Sequence, residues 1–125
     1  MTCPFCALEE STFLLATDTV VAIRDLHPVS PGHTLVLPRR HVVTYFDATW
    51  DEQQALWRAV AEVKRRLDAE SSPDGYNVGF NAGEAAGQTV PHLHVHVIPR
   101  YRGDVEDPRG GVRGVVAGKM RYPGA

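Results

Sequence analysis

Gln88-Thr89-Val90-Pro91-His92-Leu93-His94-Val95-His96-Val97-Ile98 decides the reading of this chain. Half of its 6 histidines fall in this one run, at alternate positions. Successive side chains of a β-strand point to opposite faces. The pattern predicts a strand over His92–Ile98 with the rings of His92, His94 and His96 on one face. Leu93, Val95 and Val97 then anchor the other face in a core. Folding alone gives no reason for three titratable rings in a row, so that face is read as chemical.

Two chemistries fit. A neutral imidazole, with an ordinary pKa of about 6.5, can attack an electrophile or exchange a proton near neutral pH. Phosphorus is a natural target, because attack divides one difficult displacement into two easier ones. His-x-His is also a metal-ligand spacing, so a metal-dependent hydrolase or oxygenase using His92, His94 and His96 as ligands stands as the alternative. The preceding loop favours phosphate. Gly83 and Gly87 let backbone N–H groups approach an anion, and Gln88 and Thr89 add neutral donors. Glu84 is the only carboxylate in that loop.

Working outward, Thr12–Ala16 and Val20–Arg24 are short apolar stretches around a turn-prone Thr17-Asp18-Thr19, which predicts a hairpin. Residues 28–32 carry two prolines and a glycine and form a loop. His33–Pro38 reads as a strand. Thr49-x-x-Glu52 resembles a capping box, and Leu56, Val60, Val63 and Leu67 recur at helical spacing until Ser71–Gly75 breaks the pattern. Tyr76–Phe80 is a further strand and Asn81–Gly87 a Gly/Ala loop. From about residue 99 glycine, proline and arginine dominate an extended tail, whose Arg100, Arg102, Arg109, Arg113, Lys119 and Arg121 make it locally basic. Strands flanking one long helix give an α+β sheet with the helix on one face.

The bulk properties narrow the function. The 125 residues are one domain's worth, and 43% hydrophobic content supports a core without cross-links. A net charge of −2 argues against a nucleic-acid binder acting through bulk charge. The apolar runs are too short to span a membrane, and the first residues lack the pattern of a signal peptide, so a cytoplasmic protein is expected. The only 2 cysteines form Cys3-Pro4-Phe5-Cys6, which in a reducing compartment reads as metal or redox before disulfide. A thioredoxin-like role needs the pair at a helix start after a strand, and free thiols remain the other alternative. His27 is expected to be merely exposed, and Trp57 to pack in the core or across a subunit interface.

The triad run resembles the signature of the histidine triad (HIT) family, His-φ-His-φ-His-φ-φ with φ apolar. Pro31-Gly32-His33-Thr34-Leu35-Val36-Leu37-Pro38-Arg39-Arg40-His41 resembles that family's second block. The continuation Pro99-Arg100-Tyr101-Arg102-Gly103-Asp104 is closer to the fragile-histidine-triad and bacterial dinucleoside-polyphosphate hydrolase branches than to the phosphoramidase branch. The resemblance implies a single HIT domain over residues 1–125, with an antiparallel sheet of about five strands, one long helix packed on it, and a homodimer. It implies a hydrolase or nucleotidyl transferase that cleaves at the α-phosphate of a nucleoside polyphosphate or phosphoramidate, such as diadenosine tetraphosphate.

By the same resemblance, His94 is the nucleophile, His96 contacts phosphate or the leaving oxygen, and His33 sits behind the nucleophile as its orienting partner. Gln88 and Thr89 contact phosphate, Asp25 holds the ribose hydroxyls or simply shapes a turn, and Asn81 reaches towards ribose or phosphate. Leu26 and Leu35 line a slot for the base or belong to the core. The substrate would carry AMP or GMP, with no organic cofactor. In relatives bearing the cysteine pair, a structural zinc is held by Cys3, Cys6, His41 and His92, and the same set is implied here. A third reading is a nucleotide-binding sensor without turnover.

Overall fold

The structure, a computed structural model, describes residues 3–123. Its strands are β1 (Leu15–Ala16), β2 (Val20–Arg24), β3 (Thr34–Pro38), β4 (Gly75–Gly79) and β5 (Val95–Arg100), and its helix α1 is Trp50–Ser71. They form one five-stranded sheet in the order β1-β2-β3-β5-β4, antiparallel at every pairing. Helix α1 connects β3 to β4 across one face. The α+β arrangement expected from the sequence is the arrangement found.

Alternation along each strand assigns the two faces. Val20, Ala22, Val36, Val95 and Val97 meet Leu56, Ala59, Val63 and Leu67 of α1. Leu56 and Leu67 are essentially sealed from solvent, and burying each contributes roughly 1.5–3 kcal/mol. Val21, Ile23, Leu35 and Leu37 face the other way and are covered by Phe5, Leu8 and Phe13 from the N-terminal segment. His94, His96, Ile98 and Arg100 share that second face with them.

The start of α1 follows the sequence closely. The Thr49 hydroxyl accepts from Glu52 N, and the Glu52 carboxylate accepts from Thr49 N. Ser72, in a left-handed conformation at φ 47°, ends the helix. One detail of the helix differs from expectation: Ala59 is buried while Val60 is only partly so. Val60 still packs against the same core from its margin.

Boundaries moved elsewhere too. The first hairpin arm is two residues, because Glu10–Thr12 form a 3-10 turn. The histidine strand begins at Val95 rather than His92, and His92 N bends back to Val90 O. The strand runs through Arg100, past the boundary expected near 99. The tail beyond it is folded rather than extended: it carries a 3-10 turn at Gly111–Val115, and Arg100 pairs with Asp104 and Arg109 with Asp107.

The loop leading into β3 is fixed tightly. Gly32 adopts φ +92°, and a Cβ there would meet Leu67 Cδ2 at 2.9 Å and Pro99 Cγ at 3.2 Å. Ser30 donates to Pro99 O and the Tyr101 hydroxyl to Pro31 O. These contacts set where His33 enters the sheet.

Candidate active site

A cavity of about 650 Å³ opens on the face of the sheet away from α1. His94, His96, Asp25, Leu26, Leu35, Asn81 and Thr89 all line it, as do Phe5, Leu8 and Ile23. Its floor is set by register. Leu35 of β3 and Gly79 of β4 lie on either side of His96 of β5.

The hydrogen bonds fix which nitrogen of each ring is available. His94 Nδ1 lies 2.8 Å from the backbone oxygen of His92. A carbonyl only accepts, so Nδ1 carries the proton and donates. His94 Nε2 is therefore left with its lone pair, the arrangement a nucleophile needs. His33 Nδ1 accepts from Val29 N at 3.1 Å, so the proton of neutral His33 is on Nε2. That Nε2 donates to His96 Nδ1 at 2.9 Å. His96 Nδ1 thus accepts, and its Nε2 bears the hydrogen. The result is a lone pair on His94 beside an N–H donor on His96, with ring centroids 5.2 Å apart.

The environment keeps His33 and His96 neutral. Burial lowers the His33 pKa, partly opposed by Asp25, whose carboxylate is 3.5 Å from Nε2. Burial, followed by repulsion from His94 and His33, pushes His96 down to about 4.

The structure alters three details of the expected site. His33 stands behind His96, not behind His94, and the partner orienting His94 is the His92 carbonyl. The Gln88 amide is committed to the protein: its oxygen accepts from Gly83 N, and its nitrogen donates to Val43 O and Val90 O. It shapes the loop, while Thr89 reaches the cavity. His27 is exposed, as expected, and in addition lines the cavity. Its backbone N–H is held by Asp25 Oδ1 at 2.8 Å, and that turn sets Leu26 at the rim with 89% of its surface exposed.

Two cavity features escaped the sequence reading altogether. One is the wall made by Pro4, Phe5, Leu8 and Thr12. The other is the edge-on contact of the Phe5 ring with His94, at 5.1 Å between centroids. The available signal was the position of Phe5 between two cysteines expected to lie near His92.

His92 takes a different path from the other two triad rings. It is fully buried, and its Nε2 donates to Pro38 O at 2.9 Å, leaving Nδ1 unprotonated. Burial lowers its pKa, so the ring stays neutral. Nδ1 faces Cys3 Sγ at 3.4 Å, Cys6 Sγ at 3.5 Å and His41 Nδ1 at 3.3 Å, and Cys6 Sγ lies 3.3 Å from His41 Nδ1. A tetrahedral zinc with its usual bond lengths requires ligand separations of roughly 3.3–3.6 Å for S···N and N···N pairs. These four separations meet that requirement, all four ligand atoms lie within 4.8 Å of one another, and the Pro38 carbonyl supplies the second bond that fixes the imidazole's orientation.

The alternative of one metal held by His92, His94 and His96 does not match this geometry. Among the described residues, ligand atoms converge in two groups, Cys3/Cys6/His41/His92 and Asp25/His33/His96. Neither contains all three triad rings. In the second group the His33 N–H points at His96, so it is a hydrogen-bonded relay.

The N-terminal loop of α1 supports the His41 side of the cluster. Arg40, its chain neighbour, makes two hydrogen bonds to the buried carboxylate of Glu52, at 3.0 and 2.7 Å. Among the described residues no helix is long and apolar enough to cross a membrane.

Comparison with known proteins agrees with this picture. The HIT domain family model matches residues 8–103. The chain is 40% identical over 91 residues to the bifunctional bis(5'-adenosyl)-triphosphatase/adenylylsulfatase FHIT of Arabidopsis thaliana, covering 73% of this chain and 51% of that one. It thus spans about half the length of that curated relative. Among solved structures, a HIT family protein from Bacillus anthracis superposes with a TM-score of 0.77 at 35% identity, over 82% of this chain and 75% of that chain. A zinc-bound histidine triad family protein from Mycobacterium smegmatis gives a TM-score of 0.76 at 32% identity, over 82% and 78% respectively. With triad, second block, sheet order and family match in agreement, the chain belongs to the HIT family.

Proposed function

We propose that this protein hydrolyses nucleotides at the α-phosphorus through a covalent nucleotidyl-His94 intermediate, with dinucleoside polyphosphates as the substrate class. The observation that carries the reading is the pairing of a His94 Nε2 lone pair with a His96 N–H donor at one cavity floor. His94 Nε2 attacks phosphorus and the bridging P–O bond breaks. The displaced nucleoside polyphosphate leaves as an anion that needs little protonation. The attacking ring becomes cationic, and the His92 carbonyl on Nδ1–H stabilises that charge. His96 donates to a phosphate oxygen as negative charge shifts in the transition state. Water then attacks the same phosphorus, releasing the nucleoside monophosphate and restoring His94.

The remaining lining residues fit the rest of a nucleotide. Leu26, Leu35, Ile23, Phe5 and Leu8 form an apolar slot for the base, and Asp25 offers a carboxylate to the ribose hydroxyls. Thr89 and Asn81 add neutral donors. Arg24 also lines the cavity, but its guanidinium is occupied by Gly32 O, Thr34 and Glu70. Among the described lining residues, phosphate charge is therefore met by hydrogen-bond donors and not by the Arg24 guanidinium. The relative from Arabidopsis, named for triphosphatase activity on an adenosine dinucleotide, supports adenine in the slot.

Zinc fits the Cys3/Cys6/His41/His92 cluster as a structural ion. It would staple the N-terminal segment to the loops before α1 and β5. That role requires both thiols reduced, and we assign the protein to the cytoplasm on that basis. A homodimer is supported by the aromatic cluster of Tyr45, Phe46, Trp57 and Phe80, with Phe46 73% exposed, beside the edge strand β4.

The test is a substrate panel of diadenosine tri- and tetraphosphate beside adenosine phosphoramidate, with products resolved chromatographically. Release of AMP from the dinucleotides supports the reading. Tight AMP binding with no product from any substrate would replace it with the sensor.

A further inference from the structure

One side chain belongs to both the four-ligand cluster and the cavity. Phe5 sits between Cys3 and Cys6, and its ring meets His92 edge-on at 5.8 Å and His94 at 5.1 Å. It also packs, with Leu8, on the cluster of Val21, Ile23, Leu35 and Leu37. Together with Pro4, Leu8 and Thr12 it forms one wall of the cavity.

What holds that wall in place is limited. Among the described residues, the backbone N–H groups that bond within residues 3–13 do so locally: Ala7 to Cys3 O, Thr12 to Glu9 O, and Phe13 to Glu10 O. The first backbone bond to the sheet is Leu14 N to Ala22 O. The side-chain bonds of the segment are Thr12 to Glu9 O and the contacts of the two thiols with His41 and His92. Beyond these, the segment relies on the packing of Phe5, Leu8 and Phe13 and on Arg39 over the Phe13 ring. A metal at the cluster would therefore decide how firmly the cavity is closed on this side.

We propose that Phe5 couples the metal centre to the nucleotide cavity, so that zinc tightens nucleotide binding and nucleotide tightens zinc binding. This rests on the nucleotide reading of the cavity given above. Linkage requires the two factors to be equal. Phe5 is a positioning residue here: with the knuckle closed on a metal, its ring is held against His94 and in the wall of the base slot. With the knuckle open, one wall is lost and the His94 ring keeps only the His92 carbonyl and the edge of His96.

The experiment measures zinc affinity by competition with a chromophoric chelator, with and without saturating AMP, and AMP affinity by calorimetry on zinc-loaded and zinc-stripped protein. In the native sequence both comparisons should show the same factor, about tenfold. In Phe5→Ala the protein should still take up one zinc, but the factor should fall close to one. A factor of one in the native protein would overturn the proposal. So would an undiminished factor in Phe5→Ala, which would place the linkage in folding of the whole domain and not in this ring. AMP binding that ignores zinc sinks the coupling alone. No AMP binding under any condition sinks the nucleotide reading and the coupling with it.

Discussion

Acid should destabilise this fold through the His33–His96 pair. His96 is held down at about 4 by burial and by its neighbouring rings, whereas an unfolded histidine titrates near 6.5. The gap of about 2.5 units, at about 1.36 kcal/mol per unit, caps the effect at about 3 kcal/mol. His96 keeps part of its surface in solvent, so screening trims this to about 2 kcal/mol. Between the two pKa values the unfolded chain binds the extra proton, so stability falls as pH drops. The His96 contribution is complete above pH 6.5 and is lost as pH falls towards 4. His33, also lowered, acts in the same direction.

The assay is urea unfolding of the native protein and His96→Gln at pH 7.5, 6 and 5, in matched zinc. Working with the difference between the two proteins cancels proton effects at the cluster. That difference should narrow by about 1–2 kcal/mol from pH 7.5 to 5. The carbon resonances of the His96 ring should also titrate well below the usual range. Parallel stability curves, or a His96 midpoint near 6.5, would refute the derivation of a neutral Nε2–H donor.

Other perturbations follow from particular contacts. Glu52→Ala removes the carboxylate half of the capping box and the bonds to Arg40, while Thr49 still caps the backbone N–H of residue 52; it should cost about 2 kcal/mol by chemical denaturation, with weakened zinc affinity through the His41 loop. Gly32→Ala places a methyl 2.9 Å from Leu67 in a backbone conformation unfavourable to alanine, and should cost roughly 2–3 kcal/mol in the same assay. Cys6→Ser should abolish stoichiometric zinc in elemental analysis and lower Tm by roughly 5–10 °C, since the sheet and helix remain while the N-terminal staple is lost.

The elements were legible because their signals are local. Thr49 and Glu52 announce the start of α1, and the short apolar run Val20–Arg24 and the β-formers of His33–Pro38 mark strands before any contact is known. The pairing of distant residues is less visible. Spacing puts His94 and His96 on one face but does not say that His33, 63 residues earlier in the chain, bonds to His96 instead of His94. Nor does it reveal that a backbone carbonyl orients the nucleophile, because main-chain acceptors leave no mark in a sequence. His92 shares the alternation of its neighbours, yet the bend at Val90–His92 turns it into the cysteine cluster. Gln88 looks like a phosphate ligand by type, and only the folded loop shows its amide consumed by Gly83, Val43 and Val90. The sequence shows Asp104, Glu106 and Asp107 interrupting the basic tail, but not that Asp104 pairs with Arg100 and Asp107 with Arg109.

The most direct test of the account is intact-mass analysis of the protein quenched within milliseconds of mixing with diadenosine tetraphosphate. A transient mass increase of one adenylyl group, mapped to His94 and absent in His94→Asn that still binds AMP, is the expected result. Turnover in that variant should fall by roughly four orders of magnitude or more. Near-normal turnover by His94→Asn, or an adduct mapped to another residue, would contradict the mechanism.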